Sequence, residues 1–265
     1  MLANAPSRAT ARTAAHRTAR ANTAARAELD LTAALRRFRR VASVLPRTAL
    51  LYDLTTRSDE ALLVSLAREG AGFAVGDPSA VPPQGASSHL LSTARLTSCE
   101  DVAALATAGV RQFVVRSAEE TCRVAIAAPG SSVLVRVVPL TTAGDTAQGQ
   151  GCTVAEAVTV LRQASASGLD IAGVSFEIAS LRRSPRAWAS AVGASARVFG
   201  AAAEVGLRLD TIDLGGGLPA LEDGAPPLAA YAATLERSLH QEFGLARPRT
   251  LVRVGRIVVG PAAAA

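Results

Sequence analysis

From about residue 48 the chain alternates short apolar runs of β character with helical segments, and this alternation narrows the folds open to it. The runs are 48–54 (TALLYDL), 72–75 (GFAV), 89–93 (HLLST), 112–115 (QFVV), 133–138 (VLVRVV), 171–177 (IAGVSFE), 211–215 (TIDLG) and 251–256 (LVRVGR). Such near-continuous apolar runs suit strands buried on both faces of a parallel sheet. Helix ends are readable between them. Ser58 is placed to cap a helix over 59–69, with Asp59 and Glu60 in its first turn and Gly70 as its stop. Ser184 and Pro185 open a long Ala-rich helix that runs to Gly206. Leu228, Tyr231, Leu235 and Leu239 fall on one face of another. Eight strands alternating with helices predict a (β/α)8 TIM barrel, with a doubly wound open sheet as the main alternative. One unit is damaged. Pro78, Pro82 and Pro83 stand where a helix should connect the second strand to the third, so one crossover helix is expected to be missing.

Of the 265 residues, 49% are hydrophobic but only 3% aromatic, which predicts a core of Ala, Val and Leu with modest stability. Every one of the 28 cationic side chains is arginine; the chain contains no lysine. The net charge of +6 is uneven. Arg8, Arg12, Arg17, Arg20 and Arg26 lie in an acid-free stretch, and the remaining 23 arginines face 22 acids, leaving the body near +1. A neutral body without interleaved aromatics excludes a nucleic-acid surface. Residues 1–29 read as a disordered basic leader with the composition of an organelle transit peptide. A cytoplasmic location is expected, or a plastid or mitochondrion if that leader is a transit segment. No apolar run reaches membrane-spanning length. Cys99, Cys122 and Cys152 form no CxxC pair and have no histidine nearby, so no metal is expected.

The sharpest motif is Asp213-Leu214-Gly215-Gly216-Gly217-Leu218-Pro219, at the end of the seventh run. Consecutive glycines let backbone N–H groups converge on an anion, and barrels often hold phosphate after strands seven and eight. A plain turn is the competing account.

IDLGGGLP resembles the LDIGGGFP segment of eukaryotic ornithine decarboxylases, which belong to the alanine-racemase-like barrel class of pyridoxal-phosphate enzymes. The likeness extends over roughly residues 30–260. It includes Leu45-Pro46-Arg47, Gly70-Ala71-Gly72-Phe73, Gly173-Val174-Ser175-Phe176, Ala203-Glu204-Val205-Gly206 and Gly255-Arg256. It implies a pyridoxal-phosphate-binding barrel. It also implies that the chain stops, at a 261–265 tail, where the family continues into a C-terminal β domain.

Carried over residue by residue, the resemblance divides the site. Gly215, Gly216, Gly217, Ser180 and Arg256 match the family's phosphate contacts, and Arg136 matches an arginine near the cofactor. The reactive positions differ. The lysine of the family's YAVKCN, which holds the cofactor covalently, falls on Thr55; the acid after GF falls on Ala74. The histidine that stacks on the cofactor ring falls on Glu177, and the glutamate at the pyridine nitrogen falls on Arg253. The resemblance therefore implies a member of the ornithine, diaminopimelate and arginine decarboxylase family, of polyamine biosynthesis, that has lost catalysis. Pyridoxal phosphate would bind only non-covalently. A homodimer, or a heterodimer with an active ornithine decarboxylase paralogue that it regulates, is the expected partnership. Two other expectations stand beside this one: a decayed or truncated gene fragment, and a putrescine-forming decarboxylase, which the absence of lysine opposes.

Overall fold

The computed structural model describes residues 29–80, 89–138, 151–178, 184–218 and 225–260. The leader, the 261–265 tail, Ser180, and Pro82 and Pro83 of the proline-rich connection lie outside those residues.

Eight parallel strands close in sequence order into a barrel: β1 (Thr48–Asp53), β2 (Gly72–Val75), β3 (Leu90–Ser92), β4 (Gln112–Val115), β5 (Ser132–Arg136), β6 (Asp170–Ser175), β7 (Thr211–Asp213) and β8 (Arg249–Val254). Every predicted strand is present, with ends shifted by a few residues. The open-sheet alternative is excluded, because β1 pairs with β8 over the register Thr48↔Thr250 to Tyr52↔Val254. At the foot of that seam the hydroxyls of Thr48 and Thr250 meet at 2.9 Å.

The helices are α1 (Leu31–Val44), α2 (Glu60–Arg68), α3 (Cys99–Thr107), α4 (Ala118–Ala127), α5 (Val154–Ala166), α6 (Pro185–Glu204), α7 (Leu228–Phe243) and the short α8 (Arg256–Val259). Most begin on a hydroxyl or carboxylate cap that satisfies an orphan N–H: Asp30, Ser98, Ser117, Thr153 (a full capping box with Glu156) and Ser184. The expected Ser58 cap is not used. Asp59 is the N-cap of α2 and makes no side-chain cap bond; it pairs instead with the Arg57 guanidinium. In α7, Leu228, Tyr231, Leu235 and Leu239 are all buried, as their spacing predicts. Among the described residues no helix stands between β2 and β3. There the backbone turns at Asp77, whose carboxylate takes the N–H and hydroxyl of Ser79.

The core is built mainly of Ala, Val and Leu, as the composition predicts, and it also takes in the aromatics. Phe38, Tyr52, Phe73, Phe113, Phe176, Trp188 and Tyr231 are buried, and Phe199 and Phe243 stack edge to face at 5.2 Å against it. So all nine aromatics of this aromatic-poor chain are in or against the core. They lie between barrel and helices. The barrel's interior is filled by smaller groups: Leu51, Ala74, Leu91, Val114, Leu134, Ala172 and Leu251. Backbone fits closely as well. A Cβ on Gly173 would sit 1.8 Å from the Thr211 carbonyl oxygen of the neighbouring strand.

Candidate functional site

Side chains two apart on a strand share a face. One step toward the C-terminal end from the apolar interior, Leu51 gives way to Asp53, Leu134 to Arg136 and Leu251 to Arg253. On β7 the corresponding residue is Asp213. The barrel therefore changes from an apolar floor to a charged layer within one inward position, at the end where barrel active sites are built. A cavity of about 350 Å³ opens over that layer. Asp53, Thr55 and Thr56 line it after β1, and Glu177 lines it after β6. Gly216, Gly217 and Leu218 contribute after β7, and Arg253, Gly255 and Arg256 from β8 onward.

Asp213 is the deepest charge, with no exposed surface. It accepts the Ser175 hydroxyl at 2.7 Å and the Gly215 N–H at 3.0 Å. Its Oδ2 lies 3.3 Å from Arg253 Nε, an ion pair whose alignment falls short of a hydrogen bond. Arg253 is 4% exposed and turns its other edge to Glu177, donating at 2.6 Å, and to the Phe176 carbonyl at 3.3 Å. Arg136, equally buried, donates to the same Glu177 oxygen at 3.0 Å. The second Glu177 oxygen accepts the Gly216 N–H at 3.3 Å.

The protonation of this network follows from its geometry. Burial opposes the Arg253 charge, but Asp213 and Glu177 together hold its pKa above the ordinary arginine value. Burial, with Arg253 beside it, draws Arg136 down to about 10. Burial also works to raise Glu177; the two arginines outweigh it and hold the carboxyl below its usual range. Farther round the layer, burial lowers the pKa of Arg116, and Glu120 offsets part of the effect. Arg116 fastens the β3 and β4 ends by donating to the Thr93 and Ala94 carbonyls.

Of the residues singled out in the sequence, Thr55, Glu177, Arg253, Gly216, Gly217 and Arg256 meet at the cavity. The Thr55 hydroxyl donates to Asp53 at 2.6 Å. Ala74 does not reach it and lies a layer below, in the apolar interior. Arg136 joins through Glu177. The glycines have separate reasons to be glycine. Gly215 has φ +77°, and a Cβ there would strike the Phe176 carbonyl oxygen at 2.3 Å. At Gly216 a Cβ would be crowded only by a Glu177 oxygen, at 3.0 Å. Two of the N–H groups are taken by separate carboxylates of the chain itself, Gly215 by Asp213 and Gly216 by Glu177, rather than converging on one anion. Gly217 N–H has no acceptor, and the Arg256 guanidinium no ion-pair partner, among the described residues. Arg256 is not in a strand, as 251–256 predicted, but exposed at the start of α8. The roles of Asp213, Asp53 and Ser175 were missed. For Asp213 the available signal was an acid two residues before a glycine, the spacing at which Asp caps its own turn.

Among the described residues no cluster of three or more His, Cys, Asp or Glu could hold a metal, and no helix is long and apolar enough to cross a membrane.

Residues 31–260 match the family model for the pyridoxal binding domain of pyridoxal-dependent decarboxylases. Lysine/ornithine decarboxylase of Selenomonas ruminantium is 28% identical over 82% of this chain and 57% of its own length. Antizyme inhibitor 2 of Xenopus laevis is 24% identical over 81% of this chain and 48% of its own length. The lysine/ornithine decarboxylase of Vibrio vulnificus, solved with putrescine, superposes with TM-score 0.78 at 22% identity, over 88% of this chain and 64% of that one. The chain thus spans about half the length of the curated relatives it matches. A closed eight-strand barrel, a charged layer at the C-terminal strand ends and a match from residue 31 to 260 place this chain in the pyridoxal-dependent decarboxylase family, through its pyridoxal binding domain.

Proposed function

We propose that this chain is a non-catalytic member of the decarboxylase family that holds a phosphate-bearing ligand non-covalently and acts by pairing with a catalytically competent relative. The observation that carries the proposal is the absence of lysine from the whole chain, with Thr55 at the cavity wall and its hydroxyl tied to Asp53. A hydroxyl cannot form an imine with an aldehyde.

Whether the residues present fit pyridoxal phosphate divides by end. The phosphate end fits: Gly216, Gly217 and Arg256 would hold it, with backbone donors and a guanidinium. When bound, the group supplies an electron sink for bond cleavage at a substrate carbon. Nothing here anchors it covalently. Arg253, held charged by two carboxylates, would face the group with a cation, and Glu177 offers no aromatic face. What the chain's residues do is bind an anion and keep buried cations neutralised. A relative named for inhibition rather than decarboxylation supports a role through protein contact.

The test is incubation of the purified chain with pyridoxal phosphate, reduction with borohydride, and intact-mass measurement. The expected result is no stoichiometric adduct beyond labelling of the N-terminal amine, and no carbon dioxide released from ornithine or lysine. A stoichiometric internal adduct, or turnover, overturns the proposal. Co-purification with a lysine-bearing decarboxylase of the same family tests the partnership.

A further inference from the structure

Glu177 stands just beyond β6, yet its carboxylate is the meeting point of donors from three other strands: Arg136 of β5, Gly216 after β7 and Arg253 of β8. Two buried guanidiniums and a backbone N–H of a glycine run are what a bound anion requires. The two arginines are 6% and 4% exposed, whereas the Glu177 side chain is 40% exposed, so the carboxylate can leave toward solvent and the cations cannot follow. Among the described residues Arg136 makes no second ion pair, and its Nε has no partner at all. If Glu177 swung away, the buried Arg136 cation would lose its one ion pair among the described residues and remain beside Arg253. Such a charge recruits an anion.

We infer that Glu177 is a built-in anionic occupant of the barrel's anion site, competing with external phosphate for Gly216, Arg136 and Arg253. This rests on the phosphate cradle proposed above. Phosphate at Gly217 and Arg256 gains the Gly216 N–H and the Arg253 guanidinium, which line the same cavity, only by displacing this carboxylate. Affinity for phosphate monoesters is thereby held down, and Glu177 is the residue that sets it.

The test is titration of the full chain with inorganic phosphate in a low-salt, phosphate-free buffer, followed by calorimetry and thermal melting. It compares the wild type with Glu177→Gln and Glu177→Ala. Each variant removes the competing charge, and Gln keeps the side chain's size. Both are expected to bind phosphate about tenfold more tightly than the wild type, the scale of one charge-assisted contact made available. Their melting temperatures should depend more steeply on phosphate. Equal affinities in wild type and variants overturn the inference and leave the cradle standing. Cooperative melting with no phosphate binding in any of the three overturns the cradle and the inference with it. If the variants do not fold, the wild type still decides by amide NMR. Titration should move the resonances of both Gly216 and Gly217, and movement of Gly217 alone overturns the displacement.

Discussion

Replacing Arg253 with methionine isolates what the charged layer costs and supplies. Methionine keeps a flexible stem of similar reach and removes the guanidinium. Glu177 then still has Arg136 at 3.0 Å and partial access to water, so little of the effect falls on it. Asp213 bears the loss. It has no exposed surface, and only the Ser175 hydroxyl and the Gly215 N–H would remain to stabilise its charge. Breaking a buried pair by removing one partner typically costs about 3–5 kcal/mol, a large part of the roughly 5–15 kcal/mol that holds a domain folded. For a chain of this size the melting temperature should fall by roughly 10 °C. Asp213→Asn costs less, about 1–3 kcal/mol, since Arg253 keeps Glu177 and the amide oxygen still accepts the Gly215 N–H. Combining the two substitutions should recover about 2 kcal/mol relative to their sum, because neither charge is then left alone. Urea unfolding followed by circular dichroism at neutral pH measures all four corners of the cycle. Additivity within about 0.5 kcal/mol would refute the coupling of Asp213 to Arg253 and the account of the layer built on it.

Gly173→Ala should abolish folding or cost more than about 3 kcal/mol, since the added carbon would lie 1.8 Å from backbone on the adjacent strand, where nothing flexible can yield; expression and melting curves check it. Of the three cysteines, Cys99 and Cys122 should react with iodoacetamide at pH 8 while Cys152 stays unlabelled in the folded chain. Cys152 is buried, and burial aided by Glu156 and Glu120 pushes its thiol up to about 11; peptide mass mapping reads the result. The Glu177 carboxyl is held below its unfolded value, so its contribution to stability is present above about pH 4.5 and is lost as pH falls through the folded value. Wild type and Glu177→Gln should therefore differ most near neutral pH and converge on acidification, and parallel stability profiles down to pH 3 would count against the ion pairs.

The eight strands were legible because each is a short β-rich run with its own turn chemistry, and closure in sequence order requires nothing beyond neighbours pairing with neighbours. The cap Ser184 is a local signal of the same kind. Ser58 shows how such a signal misleads. Asp59, next to it, stands at the cap position, with its carboxylate on Arg57 instead of on the helix N–H groups. The charged layer was legible only in pieces. Glu177 and Arg253 each read as a departure from the family's pattern, but they are 76 residues apart and pair with one another. Two changes that look like independent losses along the chain are one salt bridge in the fold. Asp213 lay inside the most conspicuous motif; its cap on Gly215 is local, but nothing local reveals that an arginine forty residues later will sit against it.

The β1–β8 seam also orders events in time. Thr48 meets Thr250 across 202 residues, and Arg37 of α1 donates to the carbonyls of Val258 and Val259 in α8. At about 5–20 residues per second, a ribosome needs on the order of 10–40 s to deliver the last strand after the first. Throughout that interval β1 has an open edge, with its backbone groups available to any other extended chain. Its flanking elements, α1 and α2, carry the arginines Arg36, Arg37, Arg39, Arg40 and Arg68. In a nascent chain they set like charges beside that edge, so two copies would repel each other until their own eighth strands arrive.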